Sequence, residues 1–285
     1  MKLVMTVLAR DEEDVIEQNL VYHLERGVDF MIVTDNNSRD ATPQILERYQ
    51  REGHVHVIRE PATDFAQHAW HTRMARLAAT EYGADWVINN DADEFWWPTE
   101  HADLKEVFAS QPEQVQAVMA RRLNFAPRPG GDEPFYERML LRDNEGRNLI
   151  GRLILPKVAH RGGADVSVGT GAHRITLDGV APKSYQAPIE ILHFSVRSYE
   201  SFETRVRNAA QALPDESAED STGNVSAQYR EMVRIMRAGR LRDYYEALVV
   251  DDEQAEEEIT AGRLIHDDRL ARFFRERAAA AGERA

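Results

Sequence analysis

DADEFWWP, residues 91–98, decides the reading of this chain. It follows directly on ADWVINN, residues 84–90, a short apolar run with the look of a buried strand. Three carboxylates, Asp91, Asp93 and Glu94, then crowd the strand's end, with Phe95, Trp96 and Trp97 behind them. Crowded carboxylates repel, and each is costly to keep charged away from water. Either open solvent or a cation must offset that cost. In extended backbone the two aspartates of Asp-x-Asp face the same side, so both could face one ion. Oxygen ligands suit Mg²⁺ or Mn²⁺, which keep waters and bridge substrate phosphates. The plainer alternative is a turn cluster. For the aromatics, one reading is a cover over the sheet's end; the other is an apolar wall for a sugar's face.

Working outward, the first hundred residues alternate. KLVMTVL (2–8), DFMIVTD (29–35), VHVI (55–58) and DWVIN (85–89) read as strands. Between them, Ile16, Leu20 and Leu24 recur at helical spacing before Gly27. The segment 41–53 opens with Thr42 as the expected N-cap and Pro43 at the first helical position, and residues 64–83 form a longer helix. Strand and helix in units of about thirty residues predict a parallel sheet with crossover helices. Ligands then bind beyond the carboxyl ends of the strands. Three of those ends are polar: ARDEE (9–13), TDNNSRD (34–40) and NDADEF (90–95).

After residue 112 strand-like runs (115–125, 153–160, 175–179, 189–196) alternate with Gly- and Pro-rich loops, and from Ser198 the chain turns helical. A polar break, PDESAEDSTGN (214–224), precedes a charged helical tail. The organisation expected is one domain over residues 1–213, with a nucleotide-binding half at 1–111 and an acceptor half at 112–213. A helical C-terminal extension covers 214–285.

The formal net charge of -14 disfavours a nucleic-acid partner, because an acidic surface repels a polyphosphate. With no cysteine there is no thiolate metal site and no cysteine nucleophile. The N-terminal apolar run is short for a signal peptide, and no stretch has the length of a membrane span, so the expectation is a cytoplasmic protein.

The three polar strand ends, VLARDEEDVIEQNL (7–20), FMIVTDNNSRDATPQIL (30–46) and DWVINNDADEFWWP (85–98), together resemble the nucleotide-binding half of family 2 glycosyltransferases. That resemblance implies a GT-A type nucleotide-diphospho-sugar transferase fold: α/β, a mostly parallel sheet flanked by helices. It implies a metal-dependent, inverting transfer of a sugar from a nucleotide-diphosphate donor to a hydroxyl on a glycan, lipid or small-molecule acceptor, with Mn²⁺ or Mg²⁺ as cofactor. Arg10, Glu12, Asp35, Asn36 and Asp91 would hold the nucleoside, and Asp91 and Asp93 the ion. The sequence departs from the family pattern at Asp11, in place of Asn, and at Asn36, in place of Asp. It also lacks the Glu-Asp that often supplies the base and the Gln-x-x-Arg-Trp of processive members.

Four further residues stand between two readings. His193, in EILHFSV, is either a satisfied core histidine or a late histidine completing the metal site. His71 and Arg73, in HAWHTRM, either reach the diphosphate or face solvent. His173, in GTGAHR, is either an acceptor-side contact or part of a turn. With Asp165 it is a candidate for the base. The rival function is a catalytically inactive nucleotide- or sugar-binding protein on the same scaffold.

Overall fold

A computed structural model describes residues 1–62, 66–211 and 227–282. The polar break at 214–224 lies outside the described residues, as does the start of the helix expected from residue 64. The first part of the chain runs β1 (Leu3–Ala9), α1 (Ile16–Glu25), β2 (Phe30–Asp35), α2 (Thr42–Arg51), β3 (Val55–Arg59), α3 (Gln67–Thr80), β4 (Trp86–Asp91), β5 (Glu94–Pro98) and α4 (Leu104–Ala109). The next part runs β6 (Ala117–Asn124), α5 (Phe135–Arg138), β7 (Leu141–Asp143), β8 (Lys157–Arg161), β9 (Val166–Val168), β10 (Ile175–Leu177), β11 (Ser184–His193) and α6 (Tyr199–Gln211). Four helices and a strand close the chain: α7 (Ala227–Arg237), α8 (Leu241–Glu246), α9 (Asp252–Thr260), β12 (Leu264–His266) and α10 (Arg269–Gly282).

Eight strands form one sheet in the order β3-β2-β1-β4-β8-β6-β11-β5. The strands β3, β2, β1 and β4 run parallel, as the alternation predicts. Beyond them the sheet is mixed: β8 is antiparallel to both neighbours, β6 and β11 are parallel, and β5 closes the edge antiparallel to β11. Only Ala92 and Asp93 separate β4 from β5, yet three strands intervene between them in the sheet. Strands lie about 4.8 Å apart, so a flat sheet would need close to 20 Å where three residue steps span about 10 Å. The sheet therefore curls, bringing its far edge back beside the end of β4.

Alternation along β1 divides the core. Leu3, Met5 and Val7 pack with Leu20, Leu46 and Val107 from the helices α1, α2 and α4 on one face. Val4, with Ile32 and Val87, packs against Met74, Ala75 and Ala78 of α3 on the other. Phe95 and Trp96 are fully buried in the first of these clusters, and Trp97 stacks on Tyr22. The aromatics are thus sheet core, not a sugar platform. Thr42 does not cap α2: its hydroxyl accepts the Glu12 N–H at 2.9 Å, and Asp40 Oδ1 takes the Thr42 N–H.

The C-terminal tail is not helical throughout, since β12 pairs with β7. The strand β11 carries an irregularity: Gln186 pairs with Met119 and Glu190 with Arg121, four residue steps against two. Pro188, which has no N–H for a ladder, sits within it.

Candidate functional site

A cavity of about 520 Å³ opens beyond the carboxyl ends of β1, β2 and β4. The ends of β6 and β11, the second half of α6, the start of α7 and residues of the segment 148–155 add to its wall. Three carboxylates, Glu12, Asp91 and Asp93, line it and a fourth, Glu94, is buried beside them, each held by a cation from later in the chain. Asp91 Oδ2 lies 2.6 Å from Lys157 Nζ, whose other carboxylate, Glu94, is 3.2 Å away. Glu94 also takes Arg122 at 3.2 Å, and Glu94 and Lys157 are wholly buried. Asp93 Oδ2 accepts from Arg205 at 2.8 Å, and Glu12 is shared by Arg205 at 2.9 Å and Arg197 at 2.6 Å. Arg197 is fixed further by Asp14 and the Phe194 carbonyl.

These pairings set the ionisation. Burial pushes Asp93 upward, but Arg205, His193 and Arg197 outweigh it and hold the carboxyl well below its usual range. For Asp91 burial is outweighed in the same way by Lys157 and His71. Burial pulls Lys157 down, and Asp91 and Glu94 more than restore it, so the lysine keeps its charge. On Glu12 burial wins over both arginines and raises the pKa.

The two aspartates do not share one side of an extended chain. β4 ends at Asp91, and Ala92 and Asp93 form a turn, so Asp91 aims at Lys157 and, at 3.9 Å, His71, while Asp93 aims at Arg205. Asp91 and Asp93 thus point to different cations rather than side by side at one position. Asp93 meets His193 instead, Oδ2 to Nε2 at 3.5 Å. Leu192 and Phe194 fill the core, and His193 between them lines the cavity, as alternation requires.

The fit of this pair to a cation can be tested on its hydrogen bonds. Asn124 Nδ2 donates to the Arg147 carbonyl at 2.8 Å, which turns Asn124 Oδ1 toward His193 Nδ1 at 2.6 Å. In the neutral ring Nδ1 therefore carries the proton, and the Nε2 lone pair faces a carboxylate oxygen. In that tautomer the two acceptors, 3.5 Å apart, call for a cation between them, a proton or a metal ion. Among the described residues no group of three such side chains assembles. Two protein ligands nevertheless match the way Mg²⁺-type ions are held, with substrate phosphates and water completing the shell.

The other expected residues divide. Arg10, Glu12, Asn36 and Asp91 line the cavity, and Arg10 donates to Asn36 Oδ1 at 3.4 Å. Asp35 does not line it: it is 2% exposed, paired with Arg59, and accepts the Ser38 N–H within its own turn. His71 is fully buried behind Asp91, its pKa lowered to about 4 by burial. Arg73 turns away to Glu60 at 3.0 Å. His173 lines the cavity, with Nδ1 against the Pro156 carbonyl at 2.9 Å. Burial, with Lys157 and Arg122 near, lowers its pKa to about 3, so near neutral pH it is a poor proton acceptor. Gly171, at φ 68°, passes so close that a Cβ there would stand 2.7 Å from His173 Nε2. Asp165 sits exposed in the turn before β9 and does not line the cavity. Arg76, late in α3, holds Val166 beside that turn, whereas the cavity meets α3 at Gln67 and Trp70.

Residues 5–158, more than half of the chain, match the model of glycosyltransferase family 92. The chain belongs to glycosyltransferase family 92. The family is therefore 92 where the motifs resembled family 2, and sugar transfer is common to both. No curated protein is a significant match to this family 92 chain. Among solved structures it is similar to S. aureus TarS 1–349 in complex with UDP-GlcNAc, at 12% identity over 92% of this chain and 93% of that one, TM-score 0.46. It is also similar to glucosyl-3-phosphoglycerate synthase from Mycobacterium tuberculosis in complex with Mn²⁺, UDP and glucosyl-3-phosphoglycerate. There the identity is 20% over 43% of this chain and 44% of that one, TM-score 0.28. Among the described residues no helix is long and apolar enough to cross a membrane.

Proposed function

We propose that this family 92 chain transfers a sugar from a nucleotide-diphosphate donor to a hydroxyl acceptor, with a divalent ion held by Asp93 and His193. The observation that carries the reading is the convergence of Asp93 Oδ2 and the His193 Nε2 lone pair, 3.5 Å apart, on one cavity. The nucleoside lies over the ends of β1, β2 and β4, against Arg10, Asn36 and Asp91, and the diphosphate points toward Asp93. When bound, the ion offsets the negative charge that develops on the leaving diphosphate. Arg122 and Arg205 line the same cavity and add positive charge. Asn124 holds the His193 ring in one tautomer and orientation. We take the transfer as a single displacement with inversion: the acceptor oxygen bonds to the anomeric carbon as the bond to the diphosphate breaks, and the hydroxyl proton passes to water or to the departing diphosphate. Of the two base candidates only His173 lies in the cavity, where it serves as a hydrogen-bond acceptor for the incoming hydroxyl.

The test is a panel of nucleotide sugars, uridine and guanosine forms first, incubated with the protein and Mn²⁺. The expected result is release of nucleoside diphosphate from one donor, lost with chelator and in Asp93→Asn, and an inverted product anomer by NMR. Tight, Mn²⁺-dependent donor binding with no turnover, even with a broad acceptor panel, would favour the inactive binding protein instead.

A further inference from the structure

Asp93 Oδ2 is claimed twice. Arg205 Nη1 already donates to it at 2.8 Å, from the side on which the cavity opens. His193 Nε2 faces the same oxygen, and Arg197 Nη1 stands 3.9 Å off. A divalent ion at this oxygen would sit against a guanidinium, and like charges at such range in a buried site do not coexist cheaply. One of the two arginines has to give way, and the geometry says which. Arg197 is 1% exposed and bound on every side by Glu12, Asp14 and the Phe194 carbonyl. Arg205 is 19% exposed and lines the cavity. Its Nη1 holds Asp93 and the Ser195 carbonyl, while its Nη2 holds Glu12 at 2.9 and 3.2 Å. The guanidinium can therefore leave Asp93 and the Ser195 carbonyl together and stay anchored on Glu12, turning about that anchor into the cavity.

We propose that Arg205 is an exchangeable counter-charge: it neutralises Asp93 while the site is empty, yields that oxygen to the ion, and then pairs with the diphosphate of the donor. This rests on the reading of Asp93 and His193 as ion ligands. It adds a positioning role for a residue outside that pair. It also requires the ion and the nucleotide to bind together far better than either alone, because Arg205 leaves Asp93 readily only when a phosphate awaits it.

The test is calorimetric titration of the full chain with Mn²⁺ alone, UDP alone, and UDP in saturating Mn²⁺, for wild type, Arg205→Met and Arg205→Lys. Removing the competitor should tighten Mn²⁺ alone by about tenfold in Arg205→Met, and removing the phosphate partner should weaken UDP with Mn²⁺ by about tenfold. The two shifts have opposite signs, which general damage to the site does not produce. Arg205→Lys keeps the charge and should stay within about threefold of wild type on Mn²⁺ alone. It also serves if the methionine variant fails to fold, since a lysine that no longer reaches Glu12 and the phosphate together should still weaken UDP. Mn²⁺ affinity unchanged or weaker in Arg205→Met, or UDP affinity unchanged in both variants, overturns the exchange. If instead wild-type UDP binding is indifferent to Mn²⁺, and Asp93→Asn leaves it so, the ion reading itself has failed and the exchange with it.

Discussion

The cavity's carboxylates and the cations that hold them come from opposite parts of the chain. Glu12, Asp91, Asp93 and Glu94 all precede residue 100, whereas Arg122, Lys157, Arg197 and Arg205 all follow residue 120. Several pairs made within the first part are of another kind. Arg48 with Glu17, Arg59 with Glu47 and Arg73 with Glu60 lie at the surface, with arginines 44–46% exposed. Surface pairs are screened by water and contribute little. In the pairs between the two parts Glu12, Asp93 and Glu94 are 0–13% exposed, and such carboxylates would be costly without their partners. The difference teaches that the acid cluster of the first hundred residues is neutralised from β6, β8, the turn after β11 and α6.

The sharpest way to break this contrast is Lys157→Met, which keeps the stem and removes the charge. Asp91 and Glu94 then face each other with Arg122 alone. We expect a loss of about 3–5 kcal/mol in urea-unfolding stability. A loss below about 1 kcal/mol would mean that water reaches Glu94 and the burial argument is wrong.

Acid gives a smaller effect per group. Burial lowers His71 and His160 to about 4, and His23 to about 3, from 6.5. A folded pKa below the unfolded one means that the unfolded chain binds more protons. Stability is complete above pH 6.5 and is lost as pH falls toward the folded values. At pH 5 each of these histidines costs about 2 kcal/mol. The melting temperature should fall steadily from pH 7 to 5, and replacing His160 by Gln should flatten that slope. A flat profile in the wild type would refute the burial of these rings as neutral groups.

Asp35→Ala sharpens the contrast from the other side, since its partner Arg59 is local and 46% exposed. It should cost about 1–2 kcal/mol, chiefly through the Ser38 N–H left without its acceptor. Uridine nucleotides and inorganic diphosphate should weaken alike, by less than about threefold. A loss confined to the nucleotides would return Asp35 to the base pocket.

What the sequence made legible follows the same division. The strands β1 to β4, their helices and their polar ends could be read because each motif is local: an apolar run, a turn, a carboxylate. His193 could be read from alternation alone, since Leu192 and Phe194 had to face inward. The cations could not. Lys157 is 66 residues from Asp91, and Arg205 is 112 from Asp93. In the sequence they are ordinary members of LILPKVAH and of a charged helix. The curl of the sheet hid β5 as well, because nothing in EFWWP says that its partner is β11. The expected sharing of one ion by Asp91 and Asp93 assumed continuous extended backbone, and a two-residue turn removed that assumption.

The irregularity in β11 between Gln186 and Glu190 has a consequence for how this protein tolerates change in length. On its inner side, residues 190–193 are gripped between β5 and β6, with Ile191 and Leu192 in the core. On its outer side, Ser184–Gln186 pair with β6, and Tyr185 and Gln186 are exposed. A residue gained or lost ahead of the bulge would therefore be taken up where a flipped side chain meets only water. The bulge works as an expansion joint: the loop that feeds β11 can drift in length while His193 keeps its face.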